Sequence, residues 1–213
     1  MVKHYKCLIV DDHPIVRKGI RDLVLCEGVC SKVFEAEDAA GALSAIGREP
    51  WDLVILDVSL PDKHGLEVLK EIKLLQPKAT VLMLSLYPEK EFALRALKAG
   101  ASGYLTKDRA PSELLKAVKE LLAGRRYITQ SLGDLMVTFL DEGQPAAPHS
   151  LLSDREIEVL RLLGQGKPVS VIAADMALSG KTISTYRSRL LEKLRLRTTA
   201  ELMRYAIESN LTD

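Results

Sequence analysis

The chain has 213 residues, 47% hydrophobic and 28% charged, a size that favours two modest domains over one and a composition ordinary for a soluble globular protein. Its net charge of +1 gives no nucleic-acid signal for the chain as a whole. No apolar run approaches the roughly 20 residues that span a bilayer, and MVKHYKCLIVDD carries a short apolar stretch ending in acids where a secretory leader would carry a longer one, so a cytoplasmic location is expected.

In chain order, residues 6–10 read as a strand that ends in Asp11 and Asp12. Pro14 opens a helix over 14–25, with His13 as a residue of the helix start. A strand at 33–36 and a helix at 38–48 follow. The apolar run at 53–57 ends in Asp57, and the helix at 65–75 is stopped by Pro77. The strand at 80–85 ends in Ser85, and the helix at 88–99 is closed by Gly100. The last strand, 102–106, leads into Lys107, and Pro111-Ser112-Glu113 opens a helix to 122. Strand and helix alternate and the strands are continuously apolar. The fold class is therefore α/β, a five-stranded doubly wound parallel sheet covered on both faces. Parallel strands bring their carboxyl ends to one edge, where ligands bind. Asp11, Asp12, Asp57, Ser85 and Lys107 meet there. Three carboxylates in one cleft repel each other and ask for a cation, and oxygen ligands of this kind suit Mg²⁺. Taken singly, Asp11-Asp12 also reads as a helix cap, and Tyr104 as a packed aromatic.

The three cysteines do not make a site. Cys7 reads as a small buried residue. A Cys26–Cys30 disulfide is disfavoured in a reducing cytosol, and a zinc site lacks further ligands.

Residues 130–140 read as one more helix. The stretch 141–150, DEGQPAAPHS, has two prolines, a glycine and no apolar period, and reads as a linker. The expected domains are 1–125, a linker with a helix at 126–150, and 151–213. The last is smaller and all-helical. Ser153-Asp154-Arg155-Glu156 is a capping box. Ile157, Leu160 and Leu163 continue its helix, and Val171, Ile172 and Met176 mark a short second one. After the Ser179-Gly180 turn, a third carries Ile183, Leu190, Leu191 and Leu194. Short helix, tight turn and second helix make a helix-turn-helix. From 180 to 197 there are six basic residues and one acid, Glu192, which is the footprint of a DNA reader. Lys181, Arg187 and Arg189 are placed for phosphates, with Thr182 and Tyr186 adding neutral contacts. Leu202, Tyr205 and Ala206 on the last helix read either as a dimer surface or as closure of the domain core.

These motifs together resemble a bacterial two-component response regulator of the NarL/FixJ class, over nearly the whole length. The receiver resemblance rests on Val10-Asp11-Asp12-His13-Pro14, Leu56-Asp57-Val58-Ser59-Leu60-Pro61 with Gly65-Leu66-Glu67, Leu84-Ser85, Ala99 to Leu105, and Lys107. The resemblance to LuxR-type DNA-binding domains rests on Leu152 to Leu160, Ile172-Ala173, Lys181-Thr182-Ile183, Leu194 and Glu201-Leu202. The fold it implies is a flavodoxin-like receiver followed by the helix-turn-helix domain. It implies Asp57 as phosphoacceptor for a histidine kinase. It implies Mg²⁺ held directly by Asp12 and Asp57, by Asp11 through water, and by the backbone carbonyl of Ser59. Ser85 and Lys107 contact the phosphoryl group, and Ser85 and Tyr104 act as switch residues. Ser184, Thr185 and Ser188 face base edges by helical spacing and by the resemblance. The partners implied are double-stranded DNA and a second copy of the chain. Two departures stand out. Asp108 occupies the place of a proline that in many receivers follows a cis bond, and Ser184 and Ser188 stand where relatives often carry lysine. Two other functions compete. One is a phosphatase using Asp57 as nucleophile, which lacks a general acid because Ser59 stands where one is needed. The other is a phosphorylation-independent DNA binder whose receiver serves as a scaffold.

Overall fold

The computed structural model describes residues 5–141, 148–209 and 211–212. The chain divides into two compact units, Met1–Thr138 and Phe139–Asp213.

The first unit is built on five parallel strands, β1 (Lys6–Val10), β2 (Lys32–Ala36), β3 (Leu53–Asp57), β4 (Thr80–Ser85) and β5 (Gly103–Thr106), in the order β2-β1-β3-β4-β5. This is the flavodoxin-like order, which reverses direction at β1 and β3. Five helices connect and follow the strands: α1 (Pro14–Cys26), α2 (Ala39–Arg48), α3 (Gly65–Leu75), α4 (Glu89–Lys98) and α5 (Ala110–Leu122). Strand side chains alternate between faces. Cys7, Ile9, Leu53, Ile55, Leu82 and Leu84 join Ile20 and Val24 of α1 and Leu114, Val118 and Leu121 of α5 in one buried cluster. Leu8, Val10, Val54, Leu56, Val81 and Met83 alternate with them and are equally buried. Helices α2 and α3 pack on each other beside β1, β2 and β3, and α4 packs on β5. The register aligns Leu56 with Met83 and Asp57 with Leu84, so the polar strand ends fall in one row.

After α5 the chain turns back. Tyr127 forms a parallel bridge with Gly103, its N–H donating to the Ser102 carbonyl at 3.1 Å. Gly103 permits this approach, since a Cβ there would lie 3.0 Å from the Tyr127 Cβ. Helix α6 (Gln130–Asp141) follows and crosses the boundary between the units. The remainder of the expected linker, 142–147, lies outside the described residues.

In the second unit a 3₁₀ turn (Pro148–Leu151) precedes α7 (Asp154–Gly164), α8 (Val169–Asp175), α9 (Gly180–Leu194) and α10 (Thr199–Glu208). Ser153 and Glu156 form the expected capping box, and Thr198 with Glu201 forms a second. The Ser179 hydroxyl accepts the Thr182 N–H at 3.1 Å and caps α9. Ile157, Leu160, Leu163, Ile172, Ile183, Leu190, Leu202 and Ala206 form the core. Gly164 lets α7 meet α10, because a Cβ would sit 2.6 Å from the Ala206 Cβ.

Three sequence readings are corrected or resolved here. Leu202 and Ala206 are fully buried and close the domain core, and Tyr205 bonds His149 at 2.9 Å; the outward residues of α10 are Ala200, Arg204, Ile207 and Glu208. Val171 is exposed, and Ile172 with Ala173 carries the packing of α8. All three cysteines are free thiols, and Cys7 lies against Cys30 rather than Cys26 against Cys30.

Candidate functional site

Five polar side chains reach one edge of the sheet because each stands at or just past the end of a strand. Asp11 and Asp57 are buried, and Lys107 reaches both: its Nζ lies 2.7 Å from Asp11 Oδ2 and 2.6 Å from Asp57 Oδ2. Asp12 stands at the mouth, partly open to solvent. His13 Nδ1 is 2.6 Å from the Asp12 carboxylate and 3.2 Å from that of Asp11. The His13 backbone N–H also donates to Asp11 Oδ1 at 2.8 Å. Donor atoms of Asp11, Asp12, His13 and Asp57 all lie within 4.8 Å of one another. The sequence reading placed His13 only at the helix start; its adjacency to Asp11 and Asp12 was the available signal.

Charge in this cluster is unbalanced. Burial pushes the Asp57 carboxyl up to about 6, with Lys107 only partly offsetting it. Burial also lowers the Lys107 ammonium, but the Asp57 and Asp11 carboxylates outweigh this and hold it above its ordinary value. The Asp108 carboxylate is held low by a hydrogen bond from Thr106, while the carboxylates that act on Lys107 are those of Asp57 and Asp11. No cis peptide occurs among the described residues, so the Lys107–Asp108 bond is trans.

The loop after β3 is fixed at several points. The Ser59 N–H donates to Asp57 Oδ1 at 3.2 Å, and the Gly65 N–H to the Val58 carbonyl at 2.7 Å. A Cβ on Gly65 would lie 2.1 Å from the Asp57 carbonyl oxygen, so only glycine lets α3 start this close to Asp57. Asp62 reaches across to accept the Ala39 and Ala40 N–H groups at 2.9 and 3.0 Å, tying the loop to the start of α2. That tie joins segments 23 residues apart and has no local sequence pattern.

On the opposite side of the cluster, Ser85 Oγ accepts the Tyr87 N–H at 2.9 Å, and the Ser85 carbonyl accepts the Lys107 N–H at 2.7 Å. Tyr104 is fully buried and its hydroxyl donates to the Tyr87 carbonyl at 3.1 Å. Ser59 Oγ donates to the Tyr87 hydroxyl at 3.3 Å, and the Tyr87 ring packs on Phe92 at 5.1 Å. Tyr87 thus bridges Ser59, Ser85 and Tyr104.

In the second unit α9 presents Lys181, Thr185, Ser188 and Arg189 to solvent, with Thr182, Ser184, Tyr186 and Arg187 half-buried beside them. Ile183, Leu190 and Leu194 anchor the other side. Thr185 and Ser188 donate their hydroxyls to the carbonyls four residues back, Lys181 and Ser184. Lys193, near the end of α9, pairs at 2.7 Å with buried Glu156, and so locks the helix to the start of α7.

Residues 7–119 match the response regulator receiver domain family, and residues 150–206 match the LuxR family of bacterial regulatory proteins. The chain is 39% identical over 207 residues to the transcriptional activator protein ExaE of Pseudomonas putida, covering 96% of each chain. Among solved structures it resembles RcsB of Salmonella enterica serovar Typhimurium bound to the rprA promoter in the presence of phosphomimetic BeF₃⁻. There the TM-score is 0.63 and the identity 28%, over 95% of this chain and 98% of that one. It also resembles a structure of two RcsB dimers bound to two parallel DNAs, with TM-score 0.61 and 29% identity over the same shares.

Proposed function

This chain belongs to the two-component response regulators that join a receiver domain to a LuxR-type DNA-binding domain, and we propose that phosphorylation of Asp57 by a histidine kinase controls its dimerisation and its sequence-specific binding to DNA. Its relatives are DNA-binding transcriptional regulators, not enzymes, and so is this chain. In this reading the receiver occupies residues 1–125, the linker 126–150 and the DNA-binding domain 151–213.

The observation that carries the reading is the bridge of Lys107 to Asp57 and Asp11 among three carboxylates. Three carboxylates against one ammonium leave about two negative charges uncompensated, and a divalent cation is the matching complement. The donor set is oxygen-rich and so fits Mg²⁺. Asp12, Asp57, Asp11 and the Ser59 carbonyl are the residues that would hold it. When bound, Mg²⁺ neutralises charge on the transferring phosphoryl group. An Asp57 oxygen attacks phosphorus, the N–P bond of the kinase phosphohistidine breaks, and the histidine leaves with the electron pair. Lys107 offsets the charge that Asp57 gains, and the Ser85 hydroxyl donates to a phosphoryl oxygen. Ser85 and Tyr104 carry the change to the face of α4, β5 and α5, through Tyr87.

In the second domain Lys181, Arg187 and Arg189 contact phosphates, Thr182 and Tyr186 add neutral contacts, and Ser184, Thr185 and Ser188 face base edges. A dimer sets two α9 helices about one turn of DNA apart, roughly 34 Å. Among the described residues no helix is long and apolar enough to cross a membrane, and we place the protein in the cytoplasm.

The test is intact mass after incubation with Mg²⁺ and a small acyl phosphate. The expected result is one phosphoryl adduct on the parent and none on Asp57→Ala, with DNA affinity raised only where the adduct forms. Equal DNA affinity for both proteins, with and without donor, would overturn the control by phosphorylation and leave a receiver that acts as a scaffold.

A further inference from the structure

Glu89 is a buried carboxylate that the phosphoacceptor chemistry does not use. It is the first residue of α4, four positions after Ser85. Its Oε2 accepts the Thr129 hydroxyl at 2.7 Å and the Ser131 hydroxyl at 2.5 Å. Those two residues stand 40 and 42 positions further along, where α6 begins. Thr129 is the cap of α6: its hydroxyl oxygen accepts the Leu132 N–H at 3.2 Å and its carbonyl accepts the Gly133 N–H at 2.9 Å. One hydroxyl therefore donates to Glu89 and accepts from α6. The charged acceptor strengthens the cap, since linked hydrogen bonds polarise one another.

The segment on either side is tied down. Tyr127 is bridged to Gly103 of β5, and its hydroxyl bonds Glu113 at 2.5 Å. Arg109 spans Glu113 at 2.6 Å and Glu89 at 3.5 Å. Between Ser85 and Glu89 the backbone has little slack. Tyr87 is held by Ser85, Tyr104 and Ser59, and Pro88 fixes one dihedral before α4 starts. A displacement of Ser85 is thus passed to Glu89 with little absorbed between them.

We propose that Glu89, Thr129 and Ser131 form a latch that joins the phosphoryl-sensing loop to the start of α6. It is closed in this structure, and it opens when Ser85 is drawn to a phosphoryl group on Asp57. This rests on Asp57 being the phosphoacceptor. Its consequence is specific: α6 is the last helix before the chain passes to the DNA-binding domain, and the hydroxyl that caps its first turn loses the charged acceptor that orients and polarises it when the receiver is phosphorylated.

Hydrogen exchange of the full chain, read on peptides covering residues 128–137, tests this with Mg²⁺ and beryllofluoride added or withheld. In the parent, exchange at 131–133 should rise on adding beryllofluoride, by up to about fivefold, the opening ratio of a fully lost N-cap. Glu89→Gln should exchange fast in both conditions, as should the paired variant Thr129→Val with Ser131→Ala. Thr129→Ser, which keeps the hydroxyl, should behave as the parent. All variants should still take one phosphoryl adduct from an acyl phosphate, which separates the latch from a general loss of fold. An adduct on the parent with unchanged protection at 131–133 would overturn the latch and leave the phosphoacceptor reading standing. Parent-like protection in Glu89→Gln would overturn it as well. No adduct on the parent would overturn the phosphoacceptor reading, and the switching of the latch with it.

Discussion

Asp57 is costly to bury, and the cost has a pH signature. Its folded carboxyl is pushed up from 3.8 to about 6, so between those values the folded protein binds a proton that the unfolded chain does not. Stability from this group therefore rises as pH falls from above 6 towards 4, the reverse of a salt-bridged carboxylate. A shift of about two units corresponds to ~3 kcal/mol of destabilisation near neutral pH, an upper bound because the remaining Asp11–Lys107 pair readjusts. Asp57→Asn should accordingly melt several degrees above the parent at about pH 7.5 without Mg²⁺, with the gap narrowing below about pH 6 and closing towards about pH 4. Thermal scans of both proteins across that range are the check, and a gap independent of pH would refute it. In the other domain, Lys181→Ala should weaken binding to all duplexes alike. It should also reduce the slope of log K against log salt by about one, measurable by anisotropy titrations at several salt concentrations.

At the scale of elements, the start of α3 sets the position of Asp57. Gly65→Ala forces a methyl group against the Asp57 carbonyl and the Val58 backbone, neither of which can yield without moving the strand end. The expected loss is about 2–4 kcal/mol, seen as a lower denaturation midpoint, together with slower labelling of Asp57 by acyl phosphate. Gly19→Ala, in open space on α1, serves as the control and should do neither. Elements with a local signal were legible in the sequence. Strand β3 was read at 53–57 and lies at Leu53–Asp57, and the Ser153–Glu156 box opens α7 as its spacing implied. What pattern cannot carry is pairing between distant segments. The return of Tyr127 to Gly103, the tie of Asp62 to α2 and the reach of Glu89 to Thr129 join residues whose separation leaves no period. Leu202 and Ala206 were ambiguous for a different reason. An apolar stripe on a last helix looks the same whether it meets its own core or a second copy, and only packing against α7 decides it.

At the scale of the whole molecule, each unit has its own core and its own caps, and the carboxylate cluster and helix α9 lie in different units. A fragment of residues 148–213 should therefore fold and bind DNA with an affinity indifferent to acyl phosphate, whereas the full chain should respond. Gel-shift titrations of both, with and without donor, make the comparison, and a fragment that fails to fold by circular dichroism would refute the independence of its core. The build of α9 reaches further. Its inward residues Ile183, Leu190 and Leu194 hold the domain together. Thr185 and Ser188 are exposed, their hydroxyls bonded to carbonyls of their own helix. Substitutions at such exposed positions usually change stability by less than about 0.5 kcal/mol. In the proposed reading, where these two side chains face base edges, the choice of DNA sequence can thus be rewritten at two positions with little penalty to folding.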